Sequence, residues 1–219
     1  MQYVDATLPS PQENLAFDEA LLDLCEAGND DVLRVWEPRE HCVVLGYSSR
    51  MCEEVNLASC RARAIPILRR CSGGGTVLQG PGCLNFSLVL QIREPGPLAG
   101  IRTTTAYVLT AHQQALAPLI GSAITLQGSS DLTMGGLKFS GNAQRRRRHA
   151  VLVHGTFLLG LDLRLMEEVL PLPSREPAYR QQRPHRRFLT SLPLASEDLK
   201  AALRRWVMKA AASSRATLS

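Results

Sequence analysis

Apolar residues recur at helical spacing in three parts of the chain. The pattern over residues 14–28 predicts a helix with Asn14 as its N-cap and a glycine as its stop. The pattern over about 196–212 predicts a C-terminal helix, because Ser196 is a suitable N-cap and acidic residues follow it. A third helix is predicted over residues 103–120, and the side chains expected to face inward are Tyr107, Val108, His112 and Leu116.

Shorter apolar runs between these helices predict β-strands. A Gly-Pro-Gly turn at residues 80–82 is expected to join the strands 76–79 and 83–90 into a hairpin. A short helix is predicted over 52–64, and irregular structure over 171–193. Strands and helices alternate irregularly, which favours an α+β fold with a mixed sheet over a doubly wound parallel sheet. The remaining strand regions are 32–38, 41–47, 64–70, 122–144 and 149–161.

Composition limits the classes of protein that fit. The chain has 219 residues, of which 45% are hydrophobic, as in an ordinary globular domain. No apolar run reaches the roughly 18 residues of a membrane span, and the N-terminus lacks a basic signal-peptide region, so a cytoplasmic protein without membrane contact is expected. Six cysteines without CxxC spacing predict free thiols rather than disulfides or a zinc site.

The formal net charge of +5 favours an acidic partner or substrate. Much of this charge is arginine, in clusters at 145–148 and 175–187. The first cluster either forms a solvated turn or steers an acidic partner. Nucleic-acid binding is not expected, because only 5% of the residues are aromatic and none interrupts the first cluster.

The first candidate functional segment is RRCSGGGTVLQGPGCLNFSL, residues 69–88. Three consecutive glycines are costly in a strand or helix, because glycine loses more backbone entropy on folding than other residues. The run matches neither a Walker A loop nor GxGxxG. It is either a glycine bulge in a sheet, or backbone that lies flat against a ligand with Arg69 or Arg70 at the charged end.

The second candidate segment is LKFSGNAQRRRRHAVLVHGT, residues 137–156. Small neighbours at 140–142 leave room for the Lys138 ammonium to meet a ligand. His154 lies within an apolar strand, so it contacts a ligand or is a hydrogen-bonded core histidine. Cations beside a glycine run suit an anionic ligand with an apolar tail.

These motifs together resemble the lipoate–protein ligase family, which lies within the biotin/lipoate ligase and octanoyltransferase superfamily. The motifs occur in the family's order and extend to about Leu192. The resemblance implies one catalytic domain, residues 1–219, with a mixed, largely antiparallel sheet flanked by helices. The matching segments are NLAFDEALL, VVLGY, RRCSGGGTV, GPGCLNFSL, SSDL, LKFSGNAQ, HGTFLL and PSREPAYRQQRPH.

The resemblance also implies an ATP- and Mg²⁺-dependent reaction in two steps. Lipoate or octanoate and ATP form an acyl-adenylate and pyrophosphate, and a lysine of an acceptor lipoyl domain then takes the acyl group and releases AMP. Lys138 is implied as the catalytic residue, since fixed cations are needed where negative charge develops. Asp131 is implied as a Mg²⁺ ligand.

The remaining implied roles concern binding. The apolar slot for the acyl chain is expected to include Val44, Leu45, Val77 and Phe86. The residues implied in binding substrate or adenylate are Arg70, Ser72, Gly73, Gly74, Gly75, Val77, Asn85, Asp131, Ser140, Gly141, Asn142, Ala143, His154, Gly155 and Thr156.

Two departures leave alternatives open. Many lipoate ligases carry a further C-terminal accessory domain, whereas one helix follows the motifs here. The chain therefore acts alone, works with a separate accessory subunit, or is a relative with impaired adenylation that binds or regulates. Octanoyltransferases of the superfamily transfer through a downstream cysteine; no cysteine follows Cys83, which favours a ligase and leaves Cys71 and Cys83 as substitute thiols. The choice between lipoate and octanoate and the identity of the acceptor stay open.

Overall fold

The computed structural model describes residues 1–93, 95–121, 123–173 and 175–216, with backbone alone for 209–216. The strands are β1 Gln2–Asp5, β2 Val32–Trp36, β3 Cys42–Leu45, β4 Ile67–Arg69, β5 Val77–Gln79, β6 Cys83–Gln91, β7 Ile124–Gln127, β8 Asp131–Met134, β9 Leu137–Arg146 and β10 Ala150–Leu158. The helices are α1 Pro11–Glu26, α2 Met51–Glu54, α3 Leu57–Ala62, α4 Ile101–Ile120, α5 Leu163–Val169, α6 His185–Phe188 and α7 Ser196–Ala216.

A large mixed sheet forms the centre of the fold. Among the described residues its strand order is β1-β2-β6-β10-β9-β8-β7, and only the β1–β2 pair is parallel. Alternate side chains of each strand point to opposite faces. Leu33 and Val153 pack with α4 and α7 in one apolar cluster, while Val32 and Leu152 pack with α1 in another. Helices therefore flank both faces, and the predicted α+β class is confirmed.

A smaller sheet lies beside the first. It has the order β4-β3-β5, with β3 parallel to β4 and antiparallel to β5. Its apolar face packs with residues of α3, α5 and α6. Only short connections, 37–41 and 80–82, join it to β2 and β6 of the large sheet. The two sheets are thus held close together over a short stretch of chain.

The predicted hairpin of 76–79 with 83–90 is wrong. The turn itself forms: Cys83 N donates to Gly80 O at 3.0 Å, and Gly82 has a φ of +86°. However, β5 pairs with β3, while β6 pairs with β2 and β10. The turn carries the chain from one sheet to the other, because each strand finds its partners elsewhere.

Helix α1 begins earlier than the sequence pattern indicated. Ser10 is the N-cap, and it forms a capping box with Glu13. Asn14, the predicted cap, lies inside the helix and is buried. Its side chain donates to Leu8 O and Ser10 O, and its Oδ1 accepts from Arg34 Nη2 at 2.5 Å. Asn14 therefore forms hydrogen bonds with Arg34 on β2 and with the chain before the helix instead of capping the helix.

The other helix predictions are largely confirmed. In α4, Val108, His112 and Leu116 are buried, but Tyr107 is 42% exposed and was wrongly placed inward. Helix α7 begins at Ser196, whose buried hydroxyl has no hydrogen-bond partner among the described atoms, so it does not act as the predicted cap. Segment 52–64 divides into α2 and α3, because Asn56 caps a new helix by accepting from Ser59 N.

The irregular segment predicted over 171–193 contains only one 3₁₀ turn, Ala178–Arg180, and α6 within its described residues. No helix within the described ranges is both long enough and apolar enough to cross a bilayer.

Candidate active site

A cavity of about 440 Å³ lies where the two sheets meet. Strands β5, β6, β9 and β10 contribute to its wall, together with α1, the glycine run and the segment 173–188. Most of the predicted binding residues line it: Arg70, Gly74, Gly75, Val77, Asn85, Asp131, Lys138, Gly141, Asn142, Ala143, His154, Gly155 and Thr156. The fold therefore gathers motifs that are far apart in the chain.

Three of the predicted binding residues do not line the cavity: Ser72, Gly73 and Ser140. Ser72 and Ser140 are buried behind the wall, and Gly73 lies exposed on the outside of the glycine run. Of the predicted acyl slot, Val77 and Phe86 contribute to the cavity wall. Val44 and Leu45 are instead buried within the small sheet.

Lys138 lies in the cavity wall at the start of β9. Its Nζ is 2.8 Å from Asp131 Oδ1, and its side chain keeps 25% exposure. Tyr179 OH donates to the other oxygen, Asp131 Oδ2, at 2.7 Å. Burial, and next the charge of Asp131, raise the pKa of Tyr179, so the phenol stays protonated as a donor. The carboxylate thus orients the ammonium from one side.

Glycine at position 141 makes room for this lysine. A Cβ there would lie 2.8 Å from both Cε and Nζ of Lys138. Gly155 serves Asn142 similarly, since a Cβ at 155 would lie 2.1 Å from Asn142 Oδ1. Asn142 Nδ2 donates to Ser130 O at 2.8 Å, which ties β9 to the turn before β8. Small residues here are required by the close approach of polar side chains.

Arg70 stabilises the glycine run rather than standing open as a fork for a ligand. Its Nη2 donates to Gly73 O at 2.7 Å and to Gly75 O at 2.8 Å, and its Nη1 donates to Val44 O at 3.2 Å. Burial lowers the pKa of Arg70 to about 10, and the group remains cationic at neutral pH. Its charge still faces the cavity, while most of its donors are engaged by backbone.

Arg69, the alternative cation, points away from the cavity. Its Nη1 donates to the carbonyls of Gly46, Tyr47 and Ser49. Gly46 is itself constrained, because a Cβ there would lie 2.0 Å from Gly74 O. The chain between β3 and α2 therefore packs directly on the glycine run.

His154 takes part in a buried polar network. Its Nε2 is 2.5 Å from Ser72 Oγ, and its Nδ1 is 3.9 Å from Asp18 Oδ2. Asp18 pairs with Arg34 at 2.6 Å inside the core. His154 is therefore a hydrogen-bonded core histidine that also lines the cavity, and its contact with a ligand stays a prediction.

A second polar group lies on the cavity wall between the two sheets. Thr156 Oγ1 donates to Asn85 Oδ1 at 2.5 Å, and Gln79 Nε2 lies 3.3 Å from the same oxygen. Gln79 belongs to the small sheet, whereas Asn85 and Thr156 belong to the large one. These hydrogen bonds connect the two sheets inside the cavity.

Sequence reasoning missed several lining residues. Asp18 and Trp36 lie on α1 and β2, within patterns that indicate ordinary core positions. Arg34 could have been a signal for Asp18, because a cation inside an apolar strand needs a partner. The other missed lining residues are Leu15, Thr76, Gln79, Ser129, Ser130, Pro173, Arg175, Glu176, Pro177, Arg180 and Phe188.

The cysteines do not supply a nucleophile to this cavity. Cys71 packs against the apolar cluster under α1, and burial raises the pKa of its thiol to about 11. Cys83 is fully buried, and burial raises its pKa to about 12. Neither residue lines the cavity. A thiolate attack by either one is disfavoured.

The arginine clusters are largely engaged within the fold. Arg145 lies over the Tyr47 ring, Arg146 donates to Leu98 O at 2.7 Å, and Arg147 pairs with Asp23 at 3.0 Å. In the second cluster, Arg180 and Arg183 pack on the ring of Phe188, and Arg180 and Phe188 line the cavity. The first cluster is therefore neither simply solvated nor wholly available to a partner.

The role of Asp131 as a Mg²⁺ ligand stays a prediction. Both oxygens of Asp131 are engaged, by Lys138 and Tyr179. Within the described ranges, no group of three or more His, Cys, Asp or Glu residues converges. Mg²⁺ usually keeps several waters and uses one or two carboxylates with substrate phosphates. We therefore assign no reaction step to a metal on Asp131.

Comparison with known proteins identifies relatives of the chain among lipoate ligases and octanoyltransferases. The chain is 32% identical over 163 residues to a protein of Aeropyrum pernix named as a candidate lipoate-protein ligase A, covering 74% of this chain and 59% of that one. It is 29% identical over 168 residues to lipoate-protein ligase A subunit 1 of Thermoplasma acidophilum, covering 74% and 64%. It is also 29% identical over 190 residues to octanoyltransferase LipM of Moorella thermoacetica, covering 78% and 69%.

A crystal structure of lipoate-protein ligase A bound with ATP has a TM-score of 0.80 at 25% identity, covering 95% of this chain and 85% of that one. The chain spans about half to two thirds of the length of the ligase relatives that it matches. The family model for the lipoyl protein ligase A/B catalytic domain matches residues 10–205. The chain therefore belongs to the lipoyl protein ligase A/B catalytic-domain family.

Proposed function

We propose that the chain is an ATP-dependent lipoate–protein ligase whose residues 1–219 form one catalytic domain. In the first step a carboxylate oxygen of lipoate or octanoate attacks the α-phosphorus of ATP, and pyrophosphate leaves. In the second step the neutral amine of an acceptor lysine attacks the acyl carbon, an amide forms, and AMP and a proton leave. The observation that carries this proposal is the position of Lys138, whose ammonium lies beside Asp131 in the cavity wall.

The ammonium suits the charge that develops in both steps. It can approach the carboxylate and the α-phosphate together, and so reduce their repulsion and stabilise the transferred charge. The hydrogen bond from Tyr179 keeps Asp131 in place behind the ammonium. Gly141 keeps the space in front of it free of a side chain. Arg70 adds a second positive charge at the glycine run without leaving its backbone partners.

The apolar part of the cavity suits the acyl chain. Trp36, Val77, Phe86 and Phe188 supply apolar wall. The ATP-bound relative supports a nucleotide in the same fold. The Thermoplasma acidophilum system was solved as a bi-partite ligase with its E2 lipoyl domain, which supports a lipoyl-domain acceptor and a separate accessory subunit for this chain as well.

An octanoyltransferase is the second candidate, because LipM octanoyltransferases also match the chain. That chemistry needs a nucleophile at the acyl carbon. The raised pKa values of Cys71 and Cys83, and their positions outside the cavity wall, favour the ligase.

A paired acylation assay tests the proposal. Purified chain and an acceptor lipoyl domain are incubated either with lipoate and MgATP or with octanoyl carrier protein without ATP, and the acceptor is measured by intact mass. We expect modification only with MgATP. Lys138→Ala should reduce the rate at least about 100-fold, as expected for loss of a charge that stabilises the transition state. Lys200→Met removes an ammonium outside the cavity and should keep the wild-type rate.

The alternative outcomes separate the candidates. Modification only by octanoyl carrier protein would establish the transferase. Adenylate formation without transfer, restored by a separately expressed accessory subunit, would identify a two-chain ligase. Wild-type activity of Lys138→Ala would overturn the assignment of the site.

A further inference from the structure

Polar side chains lie in a row from the protein core to the glycine run, which we define as Gly73–Gly75, and all but one of the links between them are hydrogen bonds. Arg34 Nη1 donates to Asp18 Oδ1 at 2.6 Å, and Asp18 Oδ2 faces His154 Nδ1 at 3.9 Å. His154 Nε2 meets Ser72 Oγ at 2.5 Å, and Ser72 Oγ accepts from Arg70 Nε at 3.1 Å. Arg70 then holds the carbonyls of the glycine run. The network therefore joins β2, α1 and β10 to one loop.

The donors and acceptors along this network follow one direction. Arg70 Nε can only donate, so Ser72 Oγ accepts from it and can give its own proton to His154 Nε2. In that arrangement the neutral imidazole carries its proton on Nδ1, the nitrogen that faces the carboxylate of Asp18. Asp18 in turn is held by Arg34, which is fully buried and also bonded to Ala6 O. Each of these polar groups has at least one hydrogen-bond partner.

Ser72, His154 and Asp18 have the residue types of a nucleophilic triad, but their burial argues against one. Ser72 is 0% exposed and does not line the cavity. The ion pair of Asp18 with Arg34, at 2.6 Å, is shorter than its 3.9 Å approach to His154. A serine hidden behind the wall and occupied by Arg70 cannot reach an acyl carbon. These three residues are therefore placed to hold neighbouring groups in position and not to attack an acyl carbon.

The glycine run needs such support. Its three residues are exposed and have no side chains that could anchor them. Gly74 has a φ of +88°, and its carbonyl packs against Gly46. Before the run, Tyr47 N donates to Ser72 O at 2.8 Å, and after it Thr76 N donates to Glu54 Oε2 at 3.3 Å, while Arg70 holds the carbonyls of the run itself. Arg70 Nε also donates to Gly73 O at 3.2 Å, so loss of Ser72 Oγ would remove the contact that joins Arg70 Nε to His154.

We propose that Asp18, His154 and Ser72 are positioning residues that act through Arg70 to hold the glycine run in the shape that closes one side of the cavity. His154, which is fixed in the core, holds the Ser72 hydroxyl through a hydrogen bond. That hydroxyl in turn orients the Arg70 guanidinium by accepting from Nε. The effect on catalysis rests on the proposed function, but the effect on the loop does not. The two can therefore be measured separately.

The experiment compares Ser72→Ala with Ser87→Ala in the full chain. Ser87 is an equally buried serine that pairs with His154 across the sheet, and its hydroxyl has no hydrogen-bond partner among the described atoms. Amide hydrogen exchange is followed by NMR at Tyr47, whose N donates to Ser72 O, and at Thr76, which follows the glycine run and donates to Glu54 Oε2. Octanoate binding is followed by calorimetry. We expect Ser72→Ala to speed exchange at both amides by about five- to tenfold, as for the loss of one buried hydrogen bond. Octanoate should bind several-fold more weakly.

The outcomes for the two variants support or overturn the positioning role of Ser72. Ser87→Ala should match the wild type in exchange and in affinity. Unchanged exchange and affinity in Ser72→Ala would overturn the positioning role. Abolished acylation with wild-type exchange and affinity would also overturn it, and would indicate a nucleophilic serine. Faster exchange in a chain whose wild type has no ligase activity would support the positioning role while the proposed function fails.

A second variant keeps the test independent of Ser72. Asp18→Glu keeps the charge that Arg34 needs but shifts the carboxylate relative to His154. We expect a stable protein with faster exchange at Tyr47. Exchange at the wild-type rate in Asp18→Glu would remove Asp18 from the positioning set.

Discussion

At the scale of single residues, the three glycines of the run have different reasons to be glycine. Gly74 has a φ of +88°, where L side chains are strained, and a Cβ would lie 2.9 Å from Arg70 Nη2. Gly73 and Gly75 have ordinary φ values, and a Cβ at either would meet no atom within 4 Å. Only the middle glycine is required by the backbone itself.

This difference predicts two opposite results for stability. Gly74→Ala should lower the free energy of unfolding by about 1–3 kcal/mol, because the backbone is strained and Arg70 is displaced. Gly73→Ala should leave it unchanged or raise it by up to about 1 kcal/mol, since alanine restricts the unfolded chain. Urea titration of both variants measures the difference. Equal destabilisation by the two substitutions would contradict the argument.

The sequence revealed the site residues that lie in contiguous motifs. Lys138, Asn142 and His154 share one segment, and strand pairing of β9 with β10 places Asn142 opposite Gly155. Asp18 and Trp36 were not predicted, because each lies in a pattern that is typical of core positions. The engagement of Arg70 by backbone was also beyond the sequence, since a motif names a cation but not its hydrogen-bond partners.

At the scale of elements, helix α4 carries an unusual core residue. His112 is 0% exposed and packs edge-on to Phe86, with ring centroids 4.5 Å apart, and against Phe157 and Trp206. Neither ring nitrogen has a hydrogen-bond partner among the described atoms. Burial lowers the pKa of His112 to about 3. The neutral imidazole therefore behaves as an aromatic core group that fixes α4 to α7 and the sheet.

This histidine predicts an acid-sensitive fold. The ordinary pKa of a histidine is 6.5, so His112 is protonated in the unfolded chain below that pH. In the folded chain it stays neutral down to about pH 3. Stability from this residue is present above pH 6.5 and is lost as the pH falls towards 3. Between about pH 7 and 4.5 the wild type should lose about 2–3 kcal/mol more than His112→Leu does.

Chemical denaturation at a series of pH values measures this difference. The subtraction of His112→Leu from the wild type removes the contribution of the carboxylates, which both proteins share. Parallel losses of stability in the two proteins would show that His112 is not protonated on unfolding in this range.

Elements were easier to predict than their pairing. The strands 83–90 and 149–161 were recognised because short segments rich in hydrophobic residues are typical of strands. Their partners were not, since β5 and β6 are adjacent in the chain but pair in different sheets. The turn at 80–82 has the same local geometry whether it joins partners or separates them. Local signals therefore identified the elements, and long-range packing decided their arrangement.

At the scale of the whole molecule, the cavity depends on both sheets. Gln79 belongs to the small sheet, and Asn85 and Thr156 belong to the large sheet. A ligand in the cavity contacts both, so its binding energy should oppose their separation. Ligand binding should thus reduce local unfolding, and so hydrogen exchange, in both sheets.

This coupling predicts a shared response to lipoate. At a lipoate concentration about a hundredfold above Kd, linkage adds about 2.7 kcal/mol of stability, which for a chain of this size raises Tm by roughly 5–10 °C. Hydrogen exchange should slow in 77–79 and in 154–156 together. Acetate, which lacks the apolar chain, serves as the control and should change neither Tm nor exchange. Protection confined to one sheet would contradict a ligand site at their junction.

The strand order has a consequence for how the chain reaches this fold. Strands β7 to β10 follow one another along the sheet, so they can pair through short loops as soon as they are made. The pairing of β6 with β10 must instead wait for the intervening helix and three strands, and closing such a long loop costs more entropy. We therefore expect the hairpins of β7 to β10 to form early and the junction of the two sheets to form late. The cavity between the sheets would then be absent from the folding transition state, and substitutions in its wall should speed unfolding far more than they slow folding.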